Sequence, residues 1–228
     1  MPVRVRPSAV YSDRYIITSS NRYIGRAEND SRLTNCELRF GNGTSAFYSN
    51  NSRHVAPGSA ERDVARFVFE QTRKHAGVET DLIDIRALPM RLDDAGEQMK
   101  DVAFSAEIGR CDGLIIVTPE YNHGYPGLLK HALDMNLKEY IHKAVGICGV
   151  SAGAFGGARA IEALLPVLRE LGLVTIFEDV NFGNVGDLFD EQGNLLNQRY
   201  IRRVDKFLNE LIWMAGVLRY GREHTPSA

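Results

Sequence analysis

The sequence predicts an α/β fold in which helices cover both faces of a parallel β-sheet. Two apolar runs, at 113–117 and 144–150, are continuous, which is typical of strands buried on both faces. Each run ends in a glycine-rich turn that leads into a helical pattern. The repeated order of strand, turn and helix indicates right-handed crossovers between parallel strands.

The predicted elements follow one another regularly from residue 59 onward. The first helix, 59–75, begins at Ser59, which can cap it, and carries its apolar residues on one face. The later elements are a strand at 79–85, a helix at 94–109, a strand at 113–117, a helix at 128–140, a strand at 144–150, a helix at 158–171, a strand at 173–177 and a helix at 197–220.

The most specific segment is the turn after the strand at 113–117, Thr-Pro-Glu-Tyr-Asn-His-Gly-Tyr-Pro-Gly at 118–127. In open α/β sheets, ligands bind at the carboxyl ends of the strands, and a following helix offers free backbone N–H groups. Pro119 stiffens the turn, so that its amides can face a flat heteroaromatic ring, while Asn122 can bind a polar ring edge and Tyr121 can pack beside it. Glu120 has a structural alternative, which is to bind backbone groups of a neighbouring turn.

This segment resembles the flavin loop of the NAD(P)H-dependent FMN reductases, in which Pro-Glu-Tyr-Asn is followed by Pro-Gly and a helix. The resemblance covers about residues 60–215. It implies a flavodoxin-like three-layer α/β/α sandwich with a five-stranded parallel sheet of order 2-1-3-4-5. It also implies FMN bound by Pro119, Glu120, Tyr121 and Asn122, NADPH or NADH as hydride donor, and a cytoplasmic homodimer or homotetramer. The FMN would carry the chemistry, so no catalytic side chain is expected.

The first strand and the phosphate loop are harder to locate. The favoured strand is 14–18, because Ser20 and Arg22 after it are similar to the family's phosphate-loop pattern. This placement leaves an insertion at about 27–58, much longer than an ordinary βα loop. The alternative loop is 51–54 with Ser59, which adjoins the first helix but lacks a clear strand before it. A third possibility, that part of 20–58 is not coding sequence, is tested by sequencing the transcript.

A second glycine-rich turn spans 151–157. Its glycines can serve close packing of helix and strand, or they can let backbone approach a flavin. The resemblance favours the second role and assigns Ser151, Gly153 and Gly156 to the cofactor. The same turn matches the Gly-x-Ser-x-Gly nucleophile elbow of hydrolases, but the only later histidine is His224. A hydrolase is therefore disfavoured.

The composition excludes several other classes of protein. The chain has 228 residues, a net charge of −2 and 44% hydrophobic residues, so it offers no general attraction to nucleic acid. It has no apolar run of the roughly 20 residues that a membrane helix needs. Its three cysteines are too scattered for a disulfide framework, and its histidines do not have metal-ligand spacing, so no metal site is expected.

The predicted organisation is one FMN-binding domain over 14–220, an extended or disordered tail at 1–13 and a C-terminal tail at 221–228. The predicted function is ping-pong hydride transfer from NAD(P)H to flavin N5 and on to free flavin, a quinone, an azo compound or a metal oxyanion. The alternatives are a non-enzymatic FMN electron carrier and a cofactor-free relic with a broken phosphate loop. The physiological acceptor is not encoded in any motif.

Overall fold

Six strands and five helices make up the described part of the chain, which in this computed structural model comprises residues 15–20, 60–89 and 99–225. The strands are β1 (Tyr15–Ser20), β2 (Glu79–Asp84), β3 (Gly113–Pro119), β4 (Ala144–Val150), β5 (Val174–Thr175) and β6 (Val180–Phe182). The helices are α1 (Ala60–Thr72), α2 (Val102–Arg110), α3 (Gly127–Asp134), α4 (Ala158–Glu170) and α5 (Arg199–His224). The predicted α/β fold with parallel central strands is confirmed.

The strands lie in the order β2-β1-β3-β4-β5, and β6 also pairs with β4. The pairs β3–β4, β4–β5 and β4–β6 are parallel. β1 is antiparallel to both of its neighbours, so the prediction that all five strands are parallel is wrong for β1. The predicted direction of β1 came from the family resemblance and from no residue of the strand itself. The long sequence between Ser20 and Ala60 does not impose that direction, because it can span the sheet from one edge to the other.

The last position of the sheet is shared by two short strands. β5 pairs with the start of β4, where Val174 lies opposite Ala144, and β6 pairs with its end, where Val180 lies opposite Cys148. The predicted strand at 173–177 is therefore too long, and β6 was missed. A three-residue strand containing a central asparagine, Val-Asn-Phe, has too little apolar pattern to be recognised in a sequence.

Each face of the sheet carries its own apolar core. On one face α1 and α5 pack through residues that include Val64, Val68 and Phe207, and on the other α2, α3 and α4 pack through residues that include Ile108 and Leu164. This three-layer arrangement leaves β3 and β4 buried along their whole lengths. The ends of these two strands are therefore supported by packing on both faces of the sheet.

Two helices end four or more residues away from their predicted ends. α3 ends at Asp134, six residues before the predicted end, and the chain after it buries Met135 and Tyr140 in the core. α5 extends to His224, so the first half of the predicted C-terminal tail is helical. Its last turns are anchored because Arg222 donates to the Asp112 carboxylate at 2.6 Å.

None of the helices in the described ranges is long and apolar enough to cross a bilayer.

Candidate functional site

The two predicted flavin loops begin side by side at the carboxyl edge of the sheet. Pro119 at the end of β3 lies opposite Val150 at the end of β4. The Glu120 N–H then donates to the Val150 carbonyl at 2.9 Å, which extends the pairing of the strands by one residue. The turns 120–126 and 151–157 therefore share one edge, as the sequence predicts.

The first of these turns is a tight reversal at Tyr121–Gly124. Two backbone hydrogen bonds close it, from the Tyr121 N–H to the Gly124 carbonyl at 2.9 Å and from the Gly124 N–H to the Tyr121 carbonyl at 3.0 Å. Its central residues, Asn122 and His123, have φ of 49° and 66°, as in a type I′ turn. Positive φ is unfavourable for residues other than glycine, so contacts around the turn must hold it in place.

Glu120 is nearly buried and pairs with Arg159, the second residue of α4. Its side chain is 4% exposed. Its Oε1 accepts from the Arg159 Nε at 2.5 Å, and its Oε2 accepts from the Arg159 backbone N–H at 3.3 Å. Arg159 is in the first turn of α4, so the carboxylate also satisfies a helix N-terminal donor. The alternative interpretation of the sequence, in which Glu120 binds backbone groups of a neighbouring segment, thus agrees with its contact to the Arg159 N–H.

The second turn is built around three glycines that pack without room for side chains. A Cβ on Gly149 would lie 2.5 Å from the Gly156 carbonyl oxygen, and a Cβ on Gly157 would lie 2.5 Å from the Val150 nitrogen. A Cβ on Gly156 would lie 2.7 Å from the Asn181 backbone. Gly156 therefore has a packing role, whatever it contributes to a ligand.

Ser151 and Gly153 have different surroundings from Gly156. The Ser151 hydroxyl donates to the Gly153 carbonyl at 2.9 Å, which stabilises the turn itself. A Cβ on Gly153 would meet no atom within 4 Å, so this part of the turn faces open space. Phe155 is close by with 69% of its surface exposed, and the Arg159 guanidinium carbon lies 5.3 Å from the centre of its ring.

The edge formed by the two turns presents backbone donors. Within the ranges that the structure describes, the N–H groups of residues 122–123 and 152–155 donate to no other residue. The Asn122 side chain is exposed beside them. A flat heteroaromatic ring with carbonyl and ring-nitrogen acceptors along one edge is complementary to such donors. The residues at this edge therefore fit the ring of a flavin.

Ser20, one of the two residues predicted to bind the phosphate, does not lie at this edge. Ser19 lies opposite Gly113, the first residue of β3, and Ser20 lies opposite Glu79. Ser20 is therefore at the other end of the sheet from Pro119, because β1 is antiparallel to β3. Arg22 lies outside the described residues, as do the alternative loop at 51–54 and Ser59.

In the part of the chain that the structure describes, the one histidine after Ser151, His224, does not lie beside the nucleophile-elbow serine. The Nδ1 of His224 lies 2.9 Å from the Tyr220 carbonyl oxygen, near the end of α5. That end contacts Asp112 and His142, which precede β3 and β4, whereas Ser151 follows β4. The serine and this histidine are thus at opposite edges of the sheet.

Burial also shifts the pKa values of several ionisable groups. Burial raises the pKa of the Cys111 thiol to about 11 and raises that of Cys148 further, so both are held as inert thiols. Burial and the neighbouring Glu162 and Glu178 raise the pKa of Asp179 to about 6. Asp179 immediately precedes β6 and is not part of either turn.

Two side chains of the site, Phe155 and Arg159, were missed in the sequence. Both belong to a stretch that the sequence presents as an ordinary glycine-rich turn followed by a helix. The one available signal was a basic residue directly after Gly156-Gly157-Ala158, and its carboxylate partner is 39 positions away. Such a long-range pair leaves no periodic pattern.

A family model described as "NADPH-dependent FMN reductase" matches residues 49–187. The match includes both turns of the site, the alternative phosphate loop at 51–54 and Ser59. It begins after Ser20 and Arg22.

Several relatives and solved structures resemble the chain. A "2-hydroxy-1,4-benzoquinone reductase" from a Burkholderia species is 32% identical over 138 residues, which is 57% of this chain and 75% of the relative. An "NADH-dependent flavin reductase subunit 2" from Lactobacillus johnsonii is 29% identical over 165 residues, 68% of this chain and 89% of the relative. The structure of a flavoenzyme NAD(P)H:(acceptor) oxidoreductase from Paracoccus denitrificans superposes with a TM-score of 0.56 at 20% identity, over 72% of this chain and 93% of that one. The last likeness concerns the fold.

Proposed function

The chain belongs to the NADPH-dependent FMN reductase family, and from this membership we propose that the edge formed by β3 and β4 is its FMN ring site. The chain is accordingly an NAD(P)H-dependent flavin reductase with FMN as cofactor. The observation that carries the proposed site is the pair of adjacent turns whose N–H groups at 122–123 and 152–155 have no acceptor among the described residues.

Bound FMN supplies the redox chemistry, since it accepts a hydride from NAD(P)H and passes reducing equivalents to an acceptor. The protein's own residues bind and orient. The free N–H groups of the two turns and the Asn122 amide bind the polar edge of the ring, while Tyr121 packs beside it. Pro119 and the buried Glu120 hold the first turn at its place on the sheet. Ser151 and Gly156 shape the second turn, and Gly153 leaves its surface open to the ring.

For the phosphate we propose residues 51–54 with Ser59 in place of Ser20 and Arg22. The family match supports this choice because it begins at residue 49. The start of α1 at Ala60 supports it as well, because a loop directly before a helix N-terminus places its anion in the favourable field of the helix. Arg53→Met should then weaken FMN binding in a fluorescence titration, whereas Arg22→Met should leave it unchanged. The reverse result would restore the first placement.

The acceptor that we propose is a small oxidised organic molecule such as a quinone, with free flavin, azo compounds and metal oxyanions as further members of the class. The names of the relatives support this range, which includes a quinone reductase and an azoreductase. We also propose a homodimer or homotetramer in the cytoplasm. The two free buried thiols, Cys111 and Cys148, are consistent with a reducing compartment.

The function is tested by initial rates measured at several fixed concentrations of quinone while NADPH is varied. A protein that retains FMN and gives parallel double-reciprocal lines supports the ping-pong reductase. A protein that retains FMN but does not turn over NADPH and quinone supports the electron-carrier alternative. A protein that does not bind FMN supports the relic.

A further inference from the structure

We propose that Arg159 is a positioning residue, which holds the first turn of the FMN ring site against the second through Glu120 and His123. This role rests on the proposed function of the two turns. Arg159 itself need not touch the cofactor.

Both the guanidinium and the backbone N–H of Arg159 bind the Glu120 carboxylate. The guanidinium Nε and Nη2 are both 2.5 Å from Oε1, and the backbone N–H is 3.3 Å from Oε2. Because the Glu120 side chain is only 4% exposed, little water is available to replace these donors. Removing the guanidinium would leave an almost buried carboxylate with only a single helix N–H.

Arg159 also reaches the strained part of the first turn. Its Nη1 lies 3.0 Å from His123 Nε2, and His123 is one of the two residues with positive φ. The backbone bonds within Tyr121–Gly124 close the turn but do not fix its position relative to β4. The contacts of Arg159 with Glu120 and His123 add to the Glu120 N–H bond to Val150, and both connect this turn to the elements that flank the second one.

The same side chain contacts the second turn through an aromatic ring. The guanidinium carbon lies 5.3 Å from the centre of the Phe155 ring, within the range of a cation–π contact. Arg159 is thus in contact with residues on both sides of the ring site. The donors at 122–123 and 152–155 have a fixed spacing only if the two turns are held together, and a flat ring needs that spacing to bind both sets.

The test is the dissociation constant of FMN, measured by flavin fluorescence for the full chain and four variants. We expect Arg159→Met and Glu120→Gln each to raise the constant by roughly 10- to 100-fold, the range for a lost charge-assisted hydrogen bond. The double variant should be no weaker than the weaker single variant, because both substitutions remove one shared contact. Arg169→Met is the matched control on α4, since Arg169 is exposed near the other end of the helix. It should bind FMN like the wild type.

A residue that only stabilises the fold would lower the melting temperature and leave FMN affinity unchanged below it. An unchanged constant for Arg159→Met, or two single effects that multiply in the double variant, would therefore overturn the role while leaving the proposed function in place. If Arg159→Met does not fold, Arg159→Lys and Glu120→Gln decide, because Lys keeps the charge but cannot make all the bonds of the guanidinium. A wild-type protein that does not bind FMN overturns the proposed function, and this role with it.

Discussion

Arg159 and Glu120 are 39 positions apart in the chain, yet they form a charge-assisted pair that joins the two turns at the carboxyl edge of the sheet. The pair is asymmetric, because the side chain of Glu120 is 4% exposed and that of Arg159 is 47% exposed. Loss of the arginine therefore leaves a nearly buried charge, whereas loss of the glutamate leaves a cation that water can solvate. The arginine is accordingly the more critical partner for stability.

Gly149→Ala should destabilise the protein by about 2 kcal/mol, as expected for an overpacked site. The new Cβ would lie 2.5 Å from the Gly156 carbonyl oxygen and 3.0 Å from Gly157 backbone atoms, so the second turn would have to move. Chemical denaturation measures the change. The control is Gly153→Ala, whose Cβ meets no atom within 4 Å and should leave stability within about 0.5 kcal/mol of the wild type. Equal losses for both variants would contradict the packing role.

Asp179→Asn should stabilise the protein at neutral pH and leave it unchanged in acid. The folded-state pKa of Asp179 is raised to about 6 from 3.8, first by burial and then by Glu162 and Glu178. The folded state therefore binds the proton more tightly than the unfolded state, so stability falls as pH rises from about 4 to about 6. After allowance for the partial exposure of the group, the expected gain above about pH 7 is about 1 kcal/mol.

Urea unfolding of Asp179→Asn and the wild type across this pH range measures the difference, with Glu191→Gln as an exposed control. A gain that is as large in acid as at neutral pH would show that the ionised carboxylate of Asp179 is not its cause.

Lys143→Met should destabilise the protein by about 2 kcal/mol, the usual cost of leaving buried polar groups unpaired. The Lys143 Nζ donates to the carbonyls of Ile108 and Gly109, at the carboxyl end of α2. Methionine fills similar space but supplies no donor. Lys138→Met, at an exposed position, is the matched control for guanidinium chloride unfolding. If both variants unfold at the same midpoint, the contacts of Lys143 with α2 make no net contribution.

The sequence predicted best where physical constraints are local. β4 has the predicted bounds, 144–150, because a strand buried on both faces must be apolar throughout. The two turns at the carboxyl edge were located for a related reason, since turn residues directly follow two such strands. The structural alternative for Glu120 was also available, although the sequence did not indicate Arg159 as its partner.

The sequence predicted least well the features that depend on contacts between residues far apart in the chain. The direction of β1 depends on its pairing with β2 and β3, and a short apolar run carries no information on direction. The extension of α5 to His224 depends on the ion pairs of Arg219 and Arg222 with Asp112, more than a hundred positions away. Arg159 was missed for the same reason.

Reduction of the flavin is tested most directly by anaerobic mixing of the FMN-loaded protein with NADPH in a stopped-flow spectrophotometer, followed by addition of a quinone. We expect the visible flavin band to bleach at least as fast as the enzyme turns over, and the quinone to restore it. A flavin that stays oxidised, or one that bleaches more slowly than turnover, would contradict the assignment of this chain as an NAD(P)H-dependent FMN reductase.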